Sequence, residues 1–199
     1  MLHSWAEPGN KQPIPINGCY ALKILKRFLL FLIGLVCALV VISLFLPSKV
    51  HVERTLAMNA SSETVFEQIN TLKNWEKWSP WHKLDPNMKL EYAGLPSGVG
   101  AKYSWESKQR NVGNGSLAIT ESVPPASIQT AMDFQGQGPA TSTFKLENIQ
   151  GTTQVTWSMD TDMGKNPIGK FFGLMMDKMV GPDFERGLNN LKSLCEGKQ

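Results

Sequence analysis

Nineteen consecutive residues, Phe28 to Leu46, read FLLFLIGLVCALVVISLFL and contain neither a charge nor a proline. No other feature of the chain limits its folding so strongly. As a helix the run would be about 28 Å long, close to the roughly 30 Å hydrocarbon thickness of a bilayer. A cleaved signal peptide has an apolar region of only about 7 to 15 residues and closes on small residues in an A-x-A pattern. This run instead exits through Leu44-Phe45-Leu46-Pro47-Ser48, and Cys37 follows Leu35-Val36 without the small residue that a lipid-acceptor cysteine needs ahead of it. Residues 23–47 are therefore expected to form an uncleaved transmembrane anchor.

The flanks set its expected orientation. Lys23, Lys26 and Arg27 precede the run, while Lys49, His51, Glu53 and Arg54 after it give a weaker positive balance. Because cationic flanks stay on the cytoplasmic side, the reading is a single-pass protein of the inner or plasma membrane, N-terminus cytoplasmic and C-terminal domain extracytoplasmic. The Gly34-x-x-x-Ala38 pair suits close helix pairing, but small residues are common in spans and oligomeric state stays open. Residues 1–22 begin with a proline-punctuated stretch without periodicity and are expected to be a disordered tail. Residues 48–197 are left as one globular domain.

Charge excludes one class of partner. Of the 20 Lys/Arg and 17 Asp/Glu, four and one lie within residues 1–46, which leaves sixteen of each beyond the apolar run. A formally neutral domain has no basic stripe for phosphate backbones, so no nucleic-acid partner is expected. The cysteines stand at 19, 37 and 195, so the globular part holds one and has no internal disulfide. No CxxC or Cys/His spacing suggests a metal, and neither metal nor organic cofactor is expected.

Within the globular part the period of the apolar residues changes twice. Val50, Val52, Leu56 and Met58 alternate as one face of a strand, interrupted by Arg54. A Ser61 or Ser62 cap, Glu63 and Glu67 in the first turns, and Val65, Phe66, Ile69 and Leu72 at helical spacing then predict an amphipathic helix ending near Trp75. Pro80 disfavours helical geometry at Ser79, so the helical stretch carrying Trp75 and Trp78 should stop there, with both indoles burying a corner. Trp81 and His82 should lie at its mouth.

Five or six short strands follow. Ala101/Tyr103/Trp105, Leu117/Ile119, Ile128/Thr130/Met132/Phe134, Ser142/Phe144/Leu146 and Val155/Trp157/Met159 each alternate, joined by turns rather than crossover helices, which predicts an antiparallel sheet. Helical spacing returns from Asn166 to Glu196, with Phe184, Leu188, Leu191 and Cys195 on one face and Gly181-Pro182 expected to kink or divide the element. Phe171, Phe172, Met175, Met176 and Met179 make a soft apolar face that suits either the core or the wall of a cavity.

These segments resemble a known family. VERTLAMNASSETVFEQINTLKNWEKWSPW, GVGAKYSWES, the strand led by Gly115, TTQVTWSM and GPDFERGLNNLK are similar to the START-like, or SRPBCC, superfamily, in its polyketide cyclase/dehydrase and lipid-transport branch with an N-terminal anchor. The resemblance covers about Val50 to Leu194. It implies an α+β helix-grip (START/Bet v 1-like) fold, a curved antiparallel sheet around a long C-terminal helix, and for many relatives an internal cavity for lipids, sterols, quinones or polyketides. None of the shared motifs is a catalytic signature.

The expected function is a membrane-anchored binding or carrier domain for a hydrophobic ligand. Its partners are then the lipid bilayer and an apolar small molecule. The expected wall comprises Trp78, Trp81, Tyr103 and Trp105 from the first half, Met132, Phe134 and Trp157 from the later strands, and Phe172, Met175, Met176 and Met179 from the C-terminal segment. Two alternatives remain. A cyclase or dehydratase would need a cavity acid or base, for which His82, Asp85 and Tyr103 are the catalytic candidates; Glu106, Asp133 and Asp160 have weaker claims, Asp133 alternating to the outer face. An interaction module for a membrane complex would use the outer surface. No G-x-S-x-G nucleophile is present, Cys195 has no visible partner, and Gly98-Val99-Gly100 is a lone G-x-G without a dinucleotide fingerprint.

Overall fold

The computed structural model describes residues 18–135 and 138–197. Contacts divide the chain into two units, residues 1–45 and 46–199. In the first, helix α1 spans Gly18–Phe45, starting five residues ahead of the expected anchor; the rest of the expected tail lies outside the described residues. Its stretch Leu22–Phe45 is long and apolar enough to cross a membrane, with mean hydropathy 3.1, and its side chains are exposed almost throughout.

The second unit is built on seven antiparallel strands. They are β1 (Lys49–Met58), β2 (Lys89–Gly94), β3 (Ala101–Glu106), β4 (Gly115–Val123), β5 (Ser127–Phe134), β6 (Gly138–Ile149) and β7 (Thr152–Asp162), in the spatial order β1-β7-β6-β5-β4-β3-β2. Strands β2 to β7 follow one another as a meander, because short turns allow only neighbouring antiparallel pairs. The β6–β7 turn puts Gln150 and Gly151 both at positive φ, the geometry of the tight hairpin whose twist matches its strands. Since β1 and β2 form opposite edges, the segment between them crosses the whole width of the sheet. It does so as helix α2 (Ser62–Asn70), a 3-10 turn at Leu72–Asn74, and helices α3 (Trp75–Trp78) and α4 (Pro80–Leu84).

Local chemistry fixes this crossing. The Ser61 hydroxyl accepts the Thr64 N–H at 3.2 Å and caps α2, whose Val65, Phe66 and Ile69 are buried. Ser79 stands extended at ψ 131 between α3 and α4, and Pro80 opens α4 at a position where its missing N–H costs nothing. Helix α4 thus carries Trp81 and His82, expected at the mouth of the corner, and both are half-buried. Strand β2, unassigned in that reading, has only Leu90 and Tyr92 half-buried along six residues, too short an alternation to stand out.

The C-terminal segment breaks earlier than expected. Helix α5 (Pro167–Gly173) ends at Gly173, and α6 runs unbroken from Met176 to Cys195 through Pro182, so the division falls at 173–176 and not at Gly181-Pro182. Phe184, Gly187, Leu188 and Leu191 form the buried stripe of α6, while Cys195 is half-buried. Arg54, the residue that interrupts the inner face of β1, ties this helix down: Nη1 donates to Asp177 Oδ1 at 2.8 Å and Nε donates to Glu185 Oε1 at 2.7 Å. Lys192 adds a bond to the Ala57 carbonyl at 2.7 Å.

The inward faces read from alternation hold. Ala101, Tyr103, Trp105, Leu117, Ile119, Ile128, Thr130, Met132, Ser142, Phe144, Leu146, Val155, Trp157 and Met159 are all buried, and Phe134 is half-buried. Trp75 and Trp78 fill the corner as expected, each with its indole N–H satisfied, by the Ile69 carbonyl at 2.7 Å and the Gln68 carbonyl at 3.2 Å.

Candidate functional site

Aromatic rings occupy much of the space between sheet and helices. Phe184 of α6 lies parallel to Trp157 of β7, ring centres 4.1 Å apart, and on its other side Trp157 stacks on Phe144 of β6 at 4.9 Å. Trp81 meets Trp157 edge-on at 5.8 Å. Trp157 is itself oriented by its N–H, which donates to the Ser142 hydroxyl at 2.7 Å, and that hydroxyl donates to the Ser158 carbonyl at 2.9 Å. A serine on an inner face therefore serves to fix an indole, because a buried N–H without an acceptor would be costly.

Beside this stack a cavity remains. Trp75, Trp81, His82, Met88, Tyr103, Trp105, Val112, Leu117, Met132, Phe134, Ser142 and Trp157 line it. Six of the eleven residues expected on the wall are there: Trp81, Tyr103, Trp105, Met132, Phe134 and Trp157. Trp78 is not, being wholly buried one layer away between Trp75 and Phe144. Phe172, Met175, Met176 and Met179 are not there either. No residue of α5 or α6 reaches the cavity, so the hollow lies between α3–α4 and the sheet, not under the C-terminal helix. The break at Gly173 explains this difference. It resets the helical phase, leaving Met176 buried and Phe172, Met175 and Met179 on the outside.

Sequence reasoning missed Trp75, Met88, Val112, Leu117 and Ser142 as lining residues. Leu117 and Ser142 carried the inward alternation, but an inward position does not reveal whether a neighbour fills the space beside it. Met88 and Val112 sit in loops where no periodicity exists to mark them.

The cavity measures about 40 Å³, space for roughly three or four waters at the 10–15 Å³ that each one needs. Its wall owes part of its shape to Gly115, which pairs with Trp105 across β3 and β4. A methyl group there would stand 2.5 Å from the Trp105 ring and 2.6 Å from the Asp133 carbonyl oxygen, so only glycine lets the indole approach β4 this closely.

Polar groups on the wall are few. His82 has both ring nitrogens buried without a protein partner, and burial pushes its pKa below the ordinary histidine value. The Tyr103 ring lies 6.2 Å from that of His82, and burial raises its phenol pKa. Tyr92 lies behind Tyr103 with ring centres 5.7 Å apart and donates its O–H to Glu76 at 2.6 Å at the outer rim. Asp85, the third catalytic candidate, does not reach the cavity. It accepts the Ser107 hydroxyl at 2.6 Å and the Asn87 N–H at 3.1 Å, clasping the β3–β4 loop to the end of α4. Asp133 is exposed, as its alternation predicted. Cys195 has its thiol pushed up to about 11 by burial, which leaves it a poor nucleophile. Among the described residues no group of three or more His, Cys, Asp or Glu is placed to hold a metal.

A seven-stranded antiparallel sheet curved around a C-terminal helix, with an apolar hollow on its inner side, defines a helix-grip α+β domain of the START-like (SRPBCC) type. The family model described as polyketide cyclase/dehydrase and lipid transport matches residues 49–196, and the chain belongs to that family. No curated protein matches it. Among solved structures, the Aha1 dimer from Colwellia psychrerythraea is similar at TM-score 0.51 and 16% identity, covering 75% of this chain and 98% of that one. A protein of unknown function from Staphylococcus aureus is similar at TM-score 0.55 and 15% identity, with 75% and 96% covered. A Mycobacterium smegmatis protein is similar at TM-score 0.53 and 15% identity, with 75% and 93% covered. At these identities the likeness is one of fold.

Proposed function

We propose that this chain is a membrane-anchored binding or carrier domain for a hydrophobic ligand of lipid, quinone or polyketide-like character, with α1 as the anchor, its N-terminus cytoplasmic, and the globular unit extracytoplasmic. One observation carries the reading: an apolar, largely aromatic cavity whose wall holds the His82 ring, both nitrogens of which the protein itself leaves unpaired. Binding sites for apolar small molecules combine such a wall with a small number of polar groups that fix orientation. A ligand with one carbonyl or hydroxyl would pair with His82 while its remainder displaces water along Trp105, Leu117 and Met132.

The cavity in this closed form is smaller than such a ligand, so entry requires a wall to move. Helix α6 is held by Arg54 and Lys192 and contributes nothing to the wall, so the opening in this reading falls to the segment Pro80–Met88 and the β3–β4 loop, joined by the Ser107–Asp85 bond. This differs from an opening by the C-terminal helix. The family description, which includes lipid transport, supports the same reading.

A catalytic reading has one observation in its favour, since His82 and Tyr103 share the wall. His82 lacks the orienting acceptor that a general base requires, and Asp85 is engaged elsewhere, so the binding reading is preferred. The test is mass spectrometry of the organic extract of detergent-solubilised, full-length protein, compared with Leu117→Phe, which fills the cavity. A stoichiometric apolar compound in the first, depleted in the second, is expected. A clean extract from both, together with unchanged tryptophan fluorescence when a long-chain quinone is added, would overturn the proposal.

A further inference from the structure

The residues that the break at Gly173 turns outward form the densest apolar surface of the globular unit. Ile168 is 79% exposed, Met175 56%, Leu174 55%, Met179 48% and Phe172 39%, five large apolar side chains within twelve residues. Elsewhere on this unit such side chains are sparser: Leu95 and Val99 in the β2–β3 turn, and Leu84, Val123 and Ile149 one at a time. A contiguous apolar patch on a folded surface marks a contact.

The place of the patch in the fold says what covers it. Gly173 packs on Val50, with its would-be methyl 2.8 Å from Val50 Cγ2, and the Met163 N–H donates to the Ser48 carbonyl at 2.9 Å. The α5–α6 corner therefore sits at the N-terminal end of β1. That end is also the one nearest to α1 along the chain, since only Leu46, Pro47 and Ser48 separate Phe45 from Lys49. The four residue steps from Phe45 to Lys49 reach at most about 14 Å. Where α1 is a membrane span, covalent length alone keeps this end of β1 at the bilayer surface. Exposed Lys165 and Lys178 border the apolar residues, as in surface-lying segments whose cations meet lipid headgroups.

We infer that the α5–α6 corner is a second membrane contact, in which Ile168, Phe172, Leu174, Met175 and Met179 enter the headgroup region and hold the globular unit against the bilayer that carries α1. The inference rests on the anchor reading above and not on the ligand. It gives the exposed methionines a role that the cavity does not.

The test uses the full-length chain in vesicles of phosphatidylethanolamine and phosphatidylglycerol, with Cys19 and Cys195 replaced by serine. One nitroxide label is attached at a time: at native Cys37 within α1, or, with Cys37 also replaced, at Phe172→Cys, Met175→Cys or Ile149→Cys. Ile149 pairs with Thr152 at the opposite end of the sheet, about 33 Å along β1 from Lys49. The reading is the ratio of collision rates with oxygen, which concentrates in lipid, to those with a water-soluble nickel chelate. The ratio is expected to be several-fold higher at 172 and 175 than at 149, and highest at 37. A lipid-like ratio at 37 with water-like ratios at 172 and 175 would sink the docking contact and leave the anchor standing. A water-like ratio at 37 would remove both. Shielding of 172 and 175 from both reagents, with spin–spin broadening between labels, would assign the patch to a second copy of the chain and so overturn the bilayer assignment.

Discussion

Phe184 and Trp157 face each other with planes only 4° apart and ring centres 4.1 Å apart. One ring belongs to the terminal helix and the other to the strand beside β1, so the stack is the joint through which α6 is seated on the sheet. Gly187, one turn further along α6, makes the approach possible: a methyl there would stand 2.7 Å from the Trp157 ring.

Phe184→Ala should lower unfolding stability by about 3–5 kcal/mol, the range for deleting a buried aromatic side chain. Chemical denaturation followed by tryptophan fluorescence measures it. A loss below about 1 kcal/mol, the scale of a substitution at an uncritical position, would show that the stack does not seat the helix.

His82→Phe should act in opposite directions on stability and binding. The substitution keeps a ring on the wall and removes two buried nitrogens that no protein group satisfies. Ligand-free protein is expected to gain about 1 kcal/mol, the order of cost of a buried unsatisfied group. Binding of the extracted compound should weaken at least several-fold. A variant less stable than the parent with binding intact would assign His82 a purely structural place.

The two histidines of the globular unit should titrate on opposite sides of 6.5. The Asp160 carboxylate, 2.8 Å from His51 Nδ1, raises the His51 pKa, and burial lowers that of His82. For His51 the folded value is the higher, so its contribution to stability is full below 6.5 and is lost as pH rises through the raised value. For His82 the contribution is present above 6.5 and is lost as pH falls through the depressed value. Imidazole NMR shifts against pH, with Asp160→Asn returning His51 towards 6.5, check both signs.

Acid should loosen α6 through Arg54. Its guanidinium holds the Asp177 carboxyl below the ordinary value of 3.8, so this ion pair stabilises the fold above that pH and is lost as pH falls through the depressed value. Arg54→Gln should therefore flatten the acid limb of the stability curve below about pH 4. An unchanged limb would show that the latch contributes nothing there.

Much of the fold was legible along the chain, and particular residues show why. Trp105 and Trp157 were placed inward because a strand repeats every two residues, and Ser79 was placed at a helix end because Pro80 restricts it. His82 shows where such reasoning stops. Its neighbours Lys83 and Asp85 give no sign of burial, and only tertiary packing brings its ring within 6.2 Å of Tyr103 and buries its nitrogens.

By itself, then, the order of residues determined the apolar helix, most of the strands and helices and their inward faces, because each follows from local period, capping and turn chemistry, while the family showed in the resemblance of whole segments. Tertiary structure alone decided that Arg54 meets Asp177 across 123 positions, that Met175 and Met179 face outward while Met176 is buried, and that the hollow lies beside α4. A cavity is the space left over when side chains from remote segments fail to fill a volume, and no local pattern records that difference.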